Sequence, residues 1–198
     1  LYRVAASTIM PEMDVILADV QLPAPLRTIV PQAPPETYVV GGAVRDLLLG
    51  RPVGDWDLVT PAPEAFAQAI AAAARARAVR LHSSPIVLRV VCPGLEIDVV
   101  EMSAGGLVAD LSQRDFTINA LAIALAPEEL LVDPFGGMRD LRAGFLRAVD
   151  DYSLATDPVR LVRAYRLAAE LSFSMASRTR ALIHRDRALV ESSPQQRI

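Results

Sequence analysis

Tyr38-Val39-Val40-Gly41-Gly42-Ala43-Val44-Arg45-Asp46 is the stretch on which the reading of this chain turns. The apolar run Tyr38–Val40 predicts a short strand and Val44–Leu49 a helix, with the glycine pair where one passes into the other. Such a junction suits an anion. Glycine lets the backbone approach a phosphate closely, and the unpaired N–H groups of the first helical turn supply donors with a favourable dipole. Arg45 adds a cation. Alone, the pattern is also that of a tight turn in which Arg45 and Asp46 form a solvated pair.

Asp55-Trp56-Asp57 follows on a segment that reads as a strand over 56–59. Residues i and i+2 of a strand share a face at roughly 6.5–7 Å between Cα atoms, so the two carboxylates converge while Trp56 turns to the core. Two like charges so placed repel unless a cation lies between them, which suits paired Mg²⁺ ions ~3.5–4 Å apart. Leu95-Glu96-Ile97-Asp98-Val99-Val100 alternates in the same way. Asp98 either completes a carboxylate cluster, with Glu96 or Glu101 as substitutes, or is the polar face of a half-buried strand.

Five segments in order, Gly41-Gly42-Ala43-Val44-Arg45-Asp46, Asp55-Trp56-Asp57, Arg114-Asp115-Phe116-Thr117-Ile118-Asn119-Ala120, Asp133-Pro134-Phe135-Gly136-Gly137 and Asp157-Pro158-Val159-Arg160, resemble class II tRNA nucleotidyltransferases and bacterial poly(A) polymerases. The resemblance runs from about Tyr38 to the C-terminus. It implies an α+β, polymerase-β-like nucleotidyltransferase head with a mixed, largely antiparallel sheet and flanking helices, followed by an all-helical neck.

Residue by residue, the resemblance implies that Gly41, Gly42 and Arg45 hold a triphosphate, that Asp55 and Asp57 bind catalytic Mg²⁺, and that Asp98 is the strand carboxylate accompanying them. Arg114, Asp115 and Asn119 would clamp ribose and triphosphate. Gln113 stands where the family has a further arginine, which removes one charge from that clamp. Asp157 and Arg160 match the pair that reads the nucleotide base, and their i, i+3 spacing sets both on one helical face. A surface ion pair is the other meaning of that spacing. Thr156 replaces the acidic residue that usually opens this motif, and it suits a helix N-cap.

The implied reaction is attack of the 3′-hydroxyl of tRNA on the α-phosphate of CTP or ATP, giving CCA, CC or A addition, with poly(A) synthesis as a sibling activity. A head that binds NTP without turnover is a different class of function, and a drug- or protein-modifying nucleotidyltransferase a third, against which the segments 114–120 and 157–160 argue. Relatives continue into body and tail domains that hold tRNA. The chain is therefore expected to be a head with part of a neck.

Composition fits a globular protein, at 52% hydrophobic and 22% charged residues. All 20 cations are arginine, and the net charge of -3 means that other sequence supplies the basic surface an RNA needs. Cys92 is the only cysteine, which excludes an internal disulfide and suits a reducing cytoplasm. The apolar stretch Ala69–Ala74 is too short to cross a membrane.

The organisation expected is an irregular, proline-rich lead-in over 1–36 with one short helix near Pro25–Val30, a catalytic head over 37–149, and a partial helical neck over 150–198. Within the head the pattern predicts a helix over 64–76, antiparallel strands over 79–81, 86–91 and 96–100, a strand over 121–125, a short helix over 138–142 and an extended return over 145–149. Phe135-Gly136-Gly137 marks either a flexible spring or a rigid corner. Val159, Val162, Arg163, Leu167 and Leu171 predict one amphipathic helix, and Ala181, Leu182, Leu189 and Val190 a second.

Overall fold

The computed structural model describes residues 22–125 and 130–191. Seven strands form one sheet: β1 (Tyr38–Val40), β2 (Asp55–Thr60), β3 (Arg77–Ser83), β4 (Ile86–Cys92), β5 (Leu95–Glu101), β6 (Ala122–Ala124) and β7 (Leu131–Val132), in the spatial order β3-β4-β5-β2-β1-β6-β7. Neighbours are antiparallel except β2 and β5, which run parallel with Asp57 beside Asp98 and Asp55 beside Glu96. The connectivity explains this exception. Helix α3 (Pro63–Ala74) carries the chain back so that β3 runs with β2, and two hairpin reversals return β5 in that same direction.

The period of two divides the sheet into two faces. On one, Val39, Leu58, Leu88, Val90, Ile97 and Val99 pack with Trp56 against α1 (Ala24–Ile29), α2 (Gly42–Leu48) and α3 to make the main core. Leu26 and Ile29 of α1, Val44 and Leu48 of α2, and Phe66 and Ile70 of α3 are among the helical contributions. The lead-in helix is thus part of the main core, while residues 1–21 lie outside the described residues. On the other face Val40, Val59, Ala120 and Ala122 meet Leu111 of α4 (Gly106–Ser112) in a smaller cluster. The rest of that face carries the acidic residues.

Helix α4 has no forecast in the sequence; Gly105 is its N-cap, and Gly106 opens the helix at φ 77°. The turn at 136–137 leads into α5 (Gly137–Ala143), where Asp133 accepts the N–H groups of Gly137 at 2.7 Å and Met138 at 3.0 Å. That cap accounts for the Asp133-Pro134-Phe135-Gly136-Gly137 segment in local terms. The extended return is shorter than expected: only β8 (Phe145–Leu146) is a strand, pairing parallel with β9 (Ser174–Met175), and Ala148 bridges Phe116.

Helix α6 (Val159–Leu171) buries Leu161, Ala164, Leu167 and Leu171. The expected stripe is corrected in three places, since Val159, Val162 and Arg163 are only half-buried and Leu161 and Ala164 take their place on the buried face. The second helix is split into α7 (Ser177–Asp186) and α8 (Ala188–Glu191). Thr156 is not the N-cap of α6; Pro158 is, and the Thr156 hydroxyl donates to the Ser153 carbonyl at 3.0 Å. Residues 192–198 lie outside the described residues.

Candidate active site

Gly41 occupies φ 74° and ψ −139°, a conformation that L side chains rarely adopt, and starts α2 directly from β1. A Cβ there would sit 3.1 Å from Arg114 Nη1 and 3.3 Å from Asp57 Oδ2. The glycine turn, the strand carboxylate and the arginine therefore converge on one point. Val40 lies opposite Asp57 in the β1–β2 ladder, which is why the turn immediately after it reaches that carboxylate.

Around this point opens a cleft of about 240 Å³, lined by Gly41, Gly42 and Asp57 on the sheet side, Arg114, Asp115 and Asn119 beyond α4, and Asp157, Arg160 and Arg163 at the start of α6. Arg114 also pairs with Asp110 at 3.3 Å. Asp115 is buried and accepts three hydrogen bonds: from its neighbour's N–H at Phe116 (2.8 Å), from Asn119 Nδ2 (2.9 Å) and from Arg163 Nε (3.0 Å). Asn119 Oδ1 in turn accepts from Arg45 Nη1 at 2.8 Å.

Arg45 itself is buried behind the glycine turn. Its guanidinium grips Asp46 at 3.0 and 2.8 Å and approaches to 3.5 Å the place where a Cβ on Gly42 would stand. It bonds to Asp46 and Asn119 and does not line the cleft. Asp157 lies ahead of the helix instead of on it, its Oδ1 accepting the Val159 N–H at 3.3 Å. Arg160 donates to the Ser153 carbonyl at 2.8 Å. Both nevertheless line the same cleft. Arg163 was not singled out as a site residue from the sequence. The signal for it is the repeat Asp157, Arg160, Arg163 at intervals of three, which a search for apolar periodicity passes over.

Asp98 faces Asp57 on one side and Arg89 on the other. Arg89, its cross-strand partner, binds it through Nε and Nη2 at 2.7 Å each and holds Glu96 at 2.8 Å. Glu101 is engaged elsewhere, accepting the Ile86 N–H at 3.0 Å. Asp57 differs from all of these. Burial raises its pKa above the ordinary 3.8, the nearby Asp98 and Asp55 carboxylates raise it further, and the Arg114 and Arg163 guanidinium groups offset part of the rise.

These residues fit a hard divalent cation. Asp55 and Asp57 offer oxygen donors on one face, and among the described residues neither carboxylate accepts a hydrogen bond or forms an ion pair. Among the described residues no three His, Cys, Asp or Glu side chains close on a single ion, and Arg89 pairs with Asp98. Two carboxylates completed by substrate phosphate oxygens are the usual way such an ion is held beside a nucleotide.

The sequence pattern of the Poly A polymerase head domain matches residues 37–99 and 95–147. The chain belongs to this family. It is 42% identical over 153 residues to the CC-adding tRNA nucleotidyltransferase of Synechocystis sp., covering 76% of this chain and 36% of that protein. It is 41% identical over 150 residues to the A-adding tRNA nucleotidyltransferase of Deinococcus radiodurans, covering 76% and 34%. The structure of the Thermotoga maritima CCA-adding enzyme complexed with tRNA superposes with a TM-score of 0.81 at 32% identity, over 93% of this chain and 47% of that one. The chain thus spans about a third of the length of these curated relatives, as the 36% and 34% coverages state. The α+β head with its mixed sheet is the architecture of these class II tRNA nucleotidyltransferases. Among the described residues no helix is long and apolar enough to cross a membrane.

Proposed function

We propose that residues 37–149 are the catalytic head, and residues from 150 onward the start of the neck, of a cytoplasmic tRNA nucleotidyltransferase that transfers CMP, AMP or both from CTP and ATP to a tRNA 3′-hydroxyl. The observation that carries this reading is the cleft in which Gly41, Asp57 and Arg114 face Asp157, Arg160 and Arg163. Phosphate-binding and base-reading groups stand across from each other there, at the scale of one nucleotide.

The backbone N–H groups at Gly41 and Gly42 and the guanidinium of Arg114 receive the triphosphate. Asp115 and Asn119 orient the ribose, fixed by Arg163 and Arg45 at 3.0 and 2.8 Å. Arg45 thereby acts from behind the turn, holding the clamp in shape. Asp157 and Arg160 offer acceptor and donor to the base edge, the arrangement by which one side-chain pair selects among bases. Asp55 and Asp57 hold Mg²⁺, which when bound lowers the pKa of the attacking hydroxyl and neutralises the departing pyrophosphate. Asp98, oriented by Arg89, adds a third carboxylate beside Asp57.

The test offers tRNA lacking part or all of its 3′ CCA to the chain with CTP and ATP separately. Incorporation that disappears in Asp55→Ala supports the reading, and incorporation retained in that variant refutes the metal assignment. A second reading has its own support: the chain covers 36% of its Synechocystis relative and carries a net charge of -3, so it binds NTP here while RNA is gripped by other sequence. NTP binding without incorporation selects that alternative. Poly(A) synthesis is distinguished in the same assay by the length of the AMP tail.

A further inference from the structure

We infer that Arg89 sets the metal selectivity of this site: by taking up the carboxylates of Asp98 and Glu96 it leaves the ion only the β2 pair, Asp55 and Asp57, a donor set suited to Mg²⁺ and poor for Ca²⁺. This rests on the reading of Asp55 and Asp57 as the metal ligands and adds what keeps their neighbours from joining them.

Four acids occupy one face of the parallel β2–β5 pair, because Asp55 lies beside Glu96 and Asp57 beside Asp98. Neighbouring strands stand about 4.8 Å apart, so acids of both strands border the place where a cation held on β2 would sit.

Arg89 divides the four unequally. Standing opposite Asp98 in the β4–β5 ladder, it binds both Asp98 oxygens, through Nε and Nη2 at 2.7 Å each, and reaches diagonally to Glu96 with Nη1 at 2.8 Å. Every nitrogen of the guanidinium is thereby used on β5. An ordinary cross-strand pair joins one cation to one acid. Here a planar fork closes on one carboxylate and still meets a second, which a lysine could not do. Among the described residues Arg89 is the only cation paired with Asp98 or Glu96, while Asp55 and Asp57 form no ion pair.

The coordination chemistry of the two ions gives the consequence. Mg²⁺ demands a small octahedron at about 2.0–2.1 Å and is commonly held by one or two carboxylates together with waters and substrate phosphates, whereas Ca²⁺ takes about 6–8 oxygens at ~2.3–2.6 Å and binds more tightly as carboxylates are added. Two open acids meet the first requirement and not the second. Four open acids would reverse that. Arg89 acts on the ion only through Asp98 and Glu96, so it is a positioning residue, and Asp98 stands beside Asp57 as charge instead of as a ligand.

The test loads the full chain with Tb³⁺, whose emission is sensitised by Trp56, the only tryptophan and the residue between the two β2 acids in sequence. Ca²⁺ and Mg²⁺ are then titrated as competitors. In Arg89→Met, which keeps the length of the side chain without its charge or donors, Ca²⁺ affinity is expected to rise on the order of tenfold and Mg²⁺ affinity roughly threefold or less. Arg89→Lys, the gentler variant, keeps the charge and loses the bidentate grip, and its Ca²⁺/Mg²⁺ ratio should shift the same way. In Arg89→Met/Glu96→Gln/Asp98→Asn the ratio should return to that of the parent chain. Loss of charge alone would strengthen both ions alike. An unchanged ratio in Arg89→Met, or a changed one that persists in the triple variant, therefore overturns the inference. Asp57→Asn tests the reading beneath it: metal binding as tight as the parent's removes Asp57 as a ligand, whereas binding lost there with an unaltered ratio in Arg89→Met rejects the role of Arg89 alone. Sensitised emission absent from both the parent and Arg89→Met would overturn both.

Discussion

Arg163 Nε donates to Asp115 Oδ2 at 3.0 Å, joining the first turns of α6 to the buried residue that also holds Asn119. One hydrogen-bonded line then runs from α6 through Asp115 and Asn119 to Arg45 and Asp46 in α2. The base-reading side of the cleft and the phosphate-binding turn are therefore positioned by the same network.

Arg163→Ala should cost about 1 kcal/mol of stability, less than the ~3–5 kcal/mol of a fully buried pair, because the Arg163 side chain is 42% exposed. Asp115 keeps two of its three donors. Nucleotide affinity should fall more than stability does, and calorimetric titration with CTP beside thermal denaturation separates the two effects. A stability loss with unaltered affinity would place Arg163 outside nucleotide binding.

Arg45→Ala behaves differently. The side chain is 8% exposed, and its removal strands Asn119 Oδ1 and leaves Asp46 without its bidentate partner. A loss of about 3–5 kcal/mol is expected in urea denaturation. A variant of near-native stability that had lost only NTP affinity would instead assign Arg45 to direct phosphate contact.

Asp57 sets a pH dependence whose sign follows from its raised pKa. A carboxyl with a higher pKa folded than unfolded stabilises the fold below 3.8, its ordinary value, and that contribution is lost as pH rises through the folded value. In chelator, Asp57→Asn should therefore raise the thermal midpoint at neutral pH and leave it nearly unchanged under strongly acid conditions. Adding Mg²⁺ should stabilise the parent chain and not the variant. Activity should fall by more than the ~10–100-fold seen when residues behind a metal ligand are changed. An unaltered Mg²⁺ response in the variant contradicts the assignment.

Two glycines should fail in different ways. A Cβ on Gly137 would lie 2.2 Å from the Thr117 carbonyl oxygen, backbone that cannot yield without moving the 116–120 segment. Gly137→Ala should cost about 3 kcal/mol, read in urea denaturation. At Gly41 the nearest atoms belong to the Arg114 and Asp57 side chains, so Gly41→Ala combines backbone strain of about 1–3 kcal/mol with displaced site groups. NTP affinity should drop in Gly41→Ala well before the fold does.

Much of the site is legible in local sequence because it depends on local geometry. The i, i+2 rule sets Asp55 and Asp57 on one face, and Trp56 is buried on the other. Asp157 and Arg160 reach one cleft, although through a capping residue ahead of the helix and not through the helical face expected. Helix α4 was hidden behind two glycines, and the β8–β9 pair behind segments of two residues each. Neither has enough periodicity to register.

Residue order alone determined the family, the strand-to-helix glycine turn and the alternation that presents acids on one face, because each depends on neighbours a few positions apart. Tertiary structure decided which charges are already spent across the fold: Arg89 on Asp98, Arg45 on Asn119, Arg163 on Asp115. Those pairings join residues brought together by strand order and helix packing, with separations of 74 residues for Arg45 and Asn119 and 48 for Asp115 and Arg163, and no local pattern encodes contacts across such distances.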